Sequence, residues 1–224
     1  MDTAPAPGRL TAVCVVHEIV HVVGGEPGEV TAIDKRQVTG AVEVGVLGLA
    51  GDTQCDTAHH GGPPKALYAY ADEDAAWWAA ELGREITPGL FGENLRTSGI
   101  DVGGAEIGER WQVGEPGTGV VVEVTYPRIP CMTFQGRMGE DRWVKRFTDH
   151  GAMGTYLRVV VPGRVAAGDL VSVVTRPGHG VRVADVYPTM SAAAGRALLD
   201  AAGVGVVALE PELREAADRA TARR

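Results

Sequence analysis

The sequence predicts a mainly β protein built as a closed or nearly closed barrel, with a few helices at its periphery. Three observations carry this. Eight short runs rich in Val, Ile, Leu and Tyr are spread along the chain, 31 glycines fall mainly between them, and only two amphipathic helical stretches interrupt the series. So many strands favour closure, because a closed sheet leaves no long unpaired edge.

The β-like runs are LTAVCVVHEIV (10–20), VEVGVLGL (42–49), ALYAYA (66–71), AEIGERWQV (105–113), GVVVEVTY (119–126), TYLRVVV (155–161), DLVSVV (169–174) and VRVADVY (181–187). The first helix is expected in DEDAAWWAAELG, where Asp72 suits the start and Gly83 the stop. Ala75, Trp78, Ala79 and Leu82 there repeat at i, i+3, i+4 and i+7. In GEDRWVKRFTDHG, Trp143 and Phe147 lie one turn apart and Gly151 ends the run. From Ser191 onward the composition turns Ala-rich and helical, with Pro211 suited to a first turn. This divides the chain into a barrel domain over 1–176 and a C-terminal strand and helical module over 177–224.

A chain of 224 residues with 45% hydrophobic and 22% charged residues is expected to bury a substantial core. Its formal net charge of −8 argues against general binding to nucleic acid or to an anionic membrane. No apolar run approaches the roughly 20 residues of a membrane span, and MDTAPAPGRL lacks the character of a secretory signal, so a cytoplasmic protein is expected. Cys14, Cys55 and Cys131, an odd number, are expected as free thiols.

The cysteines differ in setting. Cys14 lies inside an apolar run, as a small core residue does. Cys55 shares GDTQCDTAHHGG with Asp52, Asp56, His59 and His60, which raises zinc, although the spacing matches no established zinc pattern. Cys131 follows Pro127 and Pro130, which fix two φ angles and remove two N–H donors, so the thiol is presented at the end of a strand. Arg128 is close in sequence, and a neighbouring cation favours the thiolate that attacks electrophiles or binds soft metals. A rigid surface turn explains the same residues equally well.

Other segments offer polar groups. In HHGGPPKALYAY, Gly61 and Gly62 allow close backbone approach and Lys65 offers a charge for phosphate; a tight turn with a solvated lysine is the plainer reading. In GLFGENLRTSGI, Asn94 could hold a polar ring, or the segment could be an Asx-turn. Arg158 stands in an otherwise apolar strand, where it must meet solvent or an anion.

Taken in order, TAIDKRQVTG, GLAGDTQCDTAHHGGPPKALYAY, FGENL, PRIPC, GTYLRV and PGRVAAGD resemble the signature blocks of the MOSC domain, the family named for the C-terminal domain of molybdenum cofactor sulfurase, in its YiiM-like bacterial branch. The resemblance spans about residues 30–175, and the tail resembles that branch's short three-helix module. It implies a MOSC-type β-barrel that binds the molybdenum cofactor, a phosphate-bearing pterin dithiolene. By the same resemblance Cys131 is the molybdenum ligand, and Lys35, His60, Lys65, Asn94, Arg128 and Arg158 match positions that could hold the pterin or its phosphate. The implied activity is reduction of N-hydroxylated compounds such as hydroxylamino purines or amidoximes. Electrons would come from a separate flavin or iron-sulfur protein, and a homodimer is compatible with the sequence.

Two alternatives stay open: a carrier of cofactor or persulfide without turnover, and a cofactor-free enzyme with Cys131 as nucleophile. The chain departs from the family in two places. Gly151-Ala152-Met153-Gly154-Thr155-Tyr156 replaces the usual G-R-x-G-W-Y, losing an arginine and an aromatic, and Cys55 stands where a small non-thiol residue is usual.

Overall fold

The structure, a computed structural model, describes residues 6–55 and 61–222. Eleven strands and five helices are present among them: β1 (Gly8–His21), β2 (Val30–Gln37), β3 (Val42–Gly45), β4 (Gly48–Leu49), β5 (Leu67–Ala71), α1 (Asp72–Leu82), β6 (Leu95–Ser98), β7 (Arg110–Val113), β8 (Val120–Pro127), α2 (Met132–Met138), α3 (Trp143–His150), β9 (Thr155–Val161), β10 (Gly163–Val165), β11 (Leu170–Thr175), α4 (Ala192–Gly203) and α5 (Pro211–Ala222).

Seven strands close a barrel in the order β1-β11-β7-β8-β9-β5-β6 and back to β1, as the sequence predicts. Every pairing is antiparallel except β5 with β6. A parallel step needs a crossover, and α1 supplies it. β1 is long enough to serve twice. Its first half pairs with β11 and β6 in the barrel, and its second half leaves the barrel to form a ribbon with β2, from Cys14 opposite Gln37 to His21 opposite Val30. A small second sheet joins β10, β3 and β4.

Alternation along β5 sorts two cores. Leu67, Ala69 and Ala71 point into the barrel, while Tyr68 and Tyr70 point outward beneath the helices. The outer core is aromatic: Trp78, Phe91, Phe134, Trp143 and Phe147 interlock, with Trp78 and Trp143 4.4 Å apart and Phe134 edge-on to Phe147 at 5.0 Å. Each fully buried ring contributes roughly 2–3 kcal/mol, so this cluster fixes α1, α2 and α3 against the barrel wall.

Several elements differ from the sequence reading. The run 42–49 is two strands around a tight turn, with Val46 and Leu47 exposed at its tip. Of 105–113 only Arg110–Val113 is a strand, because Gly108 takes a left-handed conformation at φ 87°. The run 181–187 is a short 3₁₀ turn, Val183–Asp185, capped by Asp185 on the Arg182 amide at 2.9 Å. Asp72 is the first residue of α1 rather than its cap; Ala71 holds that position with no side-chain bond. Gly83 and Gly151 do end their helices in left-handed conformations.

The tail contains two helices. Ser191 caps α4 by accepting the Ala194 amide at 3.1 Å, and Pro211 opens α5. Leu198, Leu213 and Ala217 join the same apolar cluster as Val124 and Leu157 of the barrel. Among the described residues, no helix is long and apolar enough to cross a membrane.

Candidate functional site

The strand β8 ends at Pro127, and the segment Arg128-Ile129-Pro130 carries the chain to Cys131 at the start of α2. Pro130 biases Ile129 toward an extended conformation, and α2 begins after Cys131. Cys131 has extended φ and ψ of −132° and 175°, and its carbonyl accepts the first helical bond, from Gln135 at 3.0 Å. Gly136 admits the close approach of Val23 from the β1–β2 ribbon, since a Cβ there would lie 2.9 Å from the valine Cβ. The helix therefore lies directly against the ribbon.

Between ribbon, helix and barrel rim lies a cavity of about 220 Å³. Cys131, half-buried, faces it together with Lys35, Lys65, Asn94 and Arg128, which are five of the seven residues singled out in the sequence. His60 lies outside the described residues, as do Asp56 and His59 of the zinc reading. Arg158 is not in the lining: it bridges Glu123 at 3.5 Å and Glu210 at 2.8 Å. Among the described residues no cluster of three or more His, Cys, Asp or Glu is arranged to hold a metal ion.

Arg128 is the most deeply buried of the three lining cations. It is only 6% exposed, its guanidinium lies 4.1 Å from the Phe134 ring centroid, and its Nη1 donates to the Ile129 carbonyl at 3.4 Å. No carboxylate pairs with it among the described residues. A cation buried against aromatic rings without a countercharge favours an anion in the adjoining space. Burial raises the phenol pKa of the neighbouring Tyr156, and the Arg128 charge opposes that shift.

Lys35 is held by Asp52, which sequence reasoning raised only as a zinc ligand. The Asp52 carboxylate also accepts the Val16 amide at 2.9 Å and Asn94 Nδ2 at 2.8 Å. Asn94 is fully engaged: its Nδ2 also donates to the Cys14 carbonyl at 3.2 Å, and its Oδ1 accepts the Tyr68 amide at 3.1 Å. It braces β1, β5 and Asp52 rather than offering a donor to a ligand. The loop before it is ordered by Glu93, fully buried, which accepts the Gly89 amide at 2.7 Å and the Phe91 amide at 3.0 Å and pairs with Arg96. Gly89, at φ 87°, lets the loop pass under β2, where a Cβ would fall 2.3 Å from the Lys35 carbonyl oxygen. No local sequence signal announces the braces made by Asp52 and Asn94, because their partners are 17 to 80 residues away.

Among the described residues the lining carries three cations (Lys35, Lys65 and Arg128) against two carboxylates (Glu29 and Asp52), a positive excess in a chain of net charge −8. Cys55 also faces the cavity, and burial raises its thiol pKa. Cys14 does not face it; burial pushes its thiol up to about 12, so it is inert.

The sequence profile of the MOSC domain matches residues 56–172, more than half of the chain. The protein belongs to the MOSC domain family. The protein YiiM of Escherichia coli is 32% identical over 153 residues, 66% of each chain. A protein of Gibberella moniliformis named "Reductase" is 32% identical over 182 residues, 79% of this chain but only 31% of that protein. The crystal structure of YiiM from Geobacillus stearothermophilus superposes with a TM-score of 0.73 at 24% identity, over 96% of this chain and all of that one, and so shares the MOSC fold.

Proposed function

We propose that this MOSC protein binds the molybdenum cofactor in the Cys131 cavity and reduces N-hydroxylated small molecules there. One observation carries the reading: a half-buried thiol faces the same cavity as three cations, one of them a buried arginine with no carboxylate partner among the described residues. A soft ligand for molybdenum and a cradle for a phosphate are the two attachments this cofactor needs. Membership of the MOSC family and the likeness to a protein named "Reductase" support it.

When bound, the cofactor supplies a two-electron centre that removes oxygen from an N–O bond, so that an N-hydroxylated compound, two electrons and two protons give the amine and water. The chain supplies the rest. Cys131 is the metal ligand, held at the head of α2 by Pro130 and the Phe134 anchor. Arg128 and Lys65 are the groups for the phosphate, and Lys35 is oriented by Asp52. Phe91, Tyr68 and Tyr156 form an aromatic wall that excludes water from the reacting centre. A separate flavin or iron-sulfur protein delivers the electrons.

The test is the molybdenum-to-protein ratio by elemental mass spectrometry after expression in a host that makes the cofactor, for wild type and Cys131→Ala. Near-equimolar metal that falls sharply in the variant is expected, followed by turnover of an amidoxime with an artificial donor. Equal metal in both proteins removes Cys131 as ligand; metal without turnover favours the carrier.

A further inference from the structure

Lys65 reaches the cavity from a turn whose backbone is fixed. Gln54 brackets it, accepting the Gly62 amide at 2.8 Å and donating to the Lys65 carbonyl at 3.0 Å, while Thr125 donates to the Pro64 carbonyl at 2.6 Å. Its ammonium lies 5.9 Å from the ring centroids of both Tyr126 and Tyr156. It pairs with Glu212 in the first turn of α5, with Oε2 at 2.9 Å and Oε1 at 3.1 Å. One step along the tail, Glu210 takes Arg158 at 2.8 Å. The tail thus places carboxylates on two of the cations that the sequence reading assigned to a phosphate.

We infer that Glu212 is a built-in competitor for the anion site: it occupies Lys65 while the cavity lacks a ligand, and an entering phosphate displaces it and releases the first turn of α5. The inference rests on the reading that the cavity takes an anionic ligand. The geometry suits release. Lys65 is mostly buried, but the Glu212 side chain is 51% exposed, so the carboxylate can leave into water. At the amino end of a helix it keeps the favourable field of the helix dipole after it leaves Lys65. Two anions on one ammonium repel, so phosphate binding and the Glu212 contact oppose each other. That coupling is reciprocal.

Calorimetric titration with inorganic phosphate tests this in wild type, Glu212→Gln and Glu215→Gln. Glu215 pairs with Arg219 on the exposed side of the same helix, so its variant removes one charge without touching Lys65. Glu212→Gln is expected to bind phosphate roughly fivefold more tightly, the low end of ordinary coupling, and Glu215→Gln to match wild type. Adding Lys65→Met to Glu212→Gln should erase the gain. Saturating phosphate should also speed amide exchange in wild type at Arg214, whose N–H closes the first turn onto the Glu210 carbonyl at 2.9 Å.

Equal phosphate affinity in wild type and Glu212→Gln, or no phosphate binding by either, overturns the inference. So does a gain of the same size in Glu215→Gln. The outcome is separable from the molybdenum measurement: a Glu212 effect without metal on Cys131 leaves the competitor standing and sinks the metal reading, and the reverse pair of results does the opposite.

Discussion

The guanidinium of Arg128 stacks on the ring of Phe134, 4.1 Å from its centroid, across the turn that presents Cys131. The contact ties the cation to the residue that roots α2 in the aromatic core. It keeps the charge at the cavity wall even though no carboxylate among the described residues neutralises it.

Replacing a buried cation that has no countercharge by an apolar side chain of similar length removes a desolvation cost. Arg128→Met is therefore expected to melt at or above the wild-type temperature in phosphate-free buffer. Wild type is expected to gain melting temperature in millimolar phosphate, and the variant to lose that gain. A variant that melts several degrees lower without phosphate would assign Arg128 a structural role instead.

Asp52 behaves oppositely, because it satisfies three groups at once. Asp52→Asn leaves Lys35 buried without a countercharge, which costs about 3 kcal/mol, the low end for breaking one partner of a buried pair. Urea unfolding should show that loss as a lower midpoint with unchanged slope. A loss under about 1 kcal/mol would mean that water enters the cavity and solvates Lys35.

Asp74, in the acidic first turn of α1, has its carboxyl raised from 3.8 to about 6 by burial, with Glu73 and Asp101 adding to the shift. Its folded-state value lies above the unfolded one. The associated stability is therefore complete below about pH 4 and is lost as pH rises to about 6. Asp74→Asn should then stabilise the protein at pH 7 to 8 by on the order of 1 kcal/mol, discounted because the group is partly exposed, and leave it unchanged near pH 3.5. Melting temperatures of both proteins across that range check the sign.

The barrel was legible because most of its strands are uniform apolar runs between glycines; TYLRVVV coincides with β9. β2 was not, since VTAIDKRQ carries three adjacent charges. Asp34 and Lys35 are buried there only because Arg137 of α2 and Asp52 pair with them. α2 was missed for a related reason: Gly136 weakens its propensity, and what holds it is Phe134 among two rings of α3 and Phe91 of the loop before β6. At the site, local chemistry marked Cys131, Lys65 and Arg128, whose neighbouring prolines and glycines are visible in sequence. Asp52 and Glu212 act through partners that only the fold brings near, whereas Glu93 bonds Gly89, Phe91 and Arg96 within its own stretch of chain. Long-range pairing of this kind leaves no periodic trace.

The shared strand β1 makes its own length a dimension of the cavity. Side chains along it alternate between faces, so adding or deleting one residue between Val13 and Val16 would reverse inward and outward for the whole ribbon while the barrel half stayed in place. Such a frame change would turn the Val16 amide away from Asp52 and shift Lys35 with its partner strand. Length variation is expected to be tolerated at the Gly24–Gly28 tip of the ribbon and in the Val46–Leu47 turn, and to be costly between Val13 and Val16, where the barrel half of β1 passes into the ribbon.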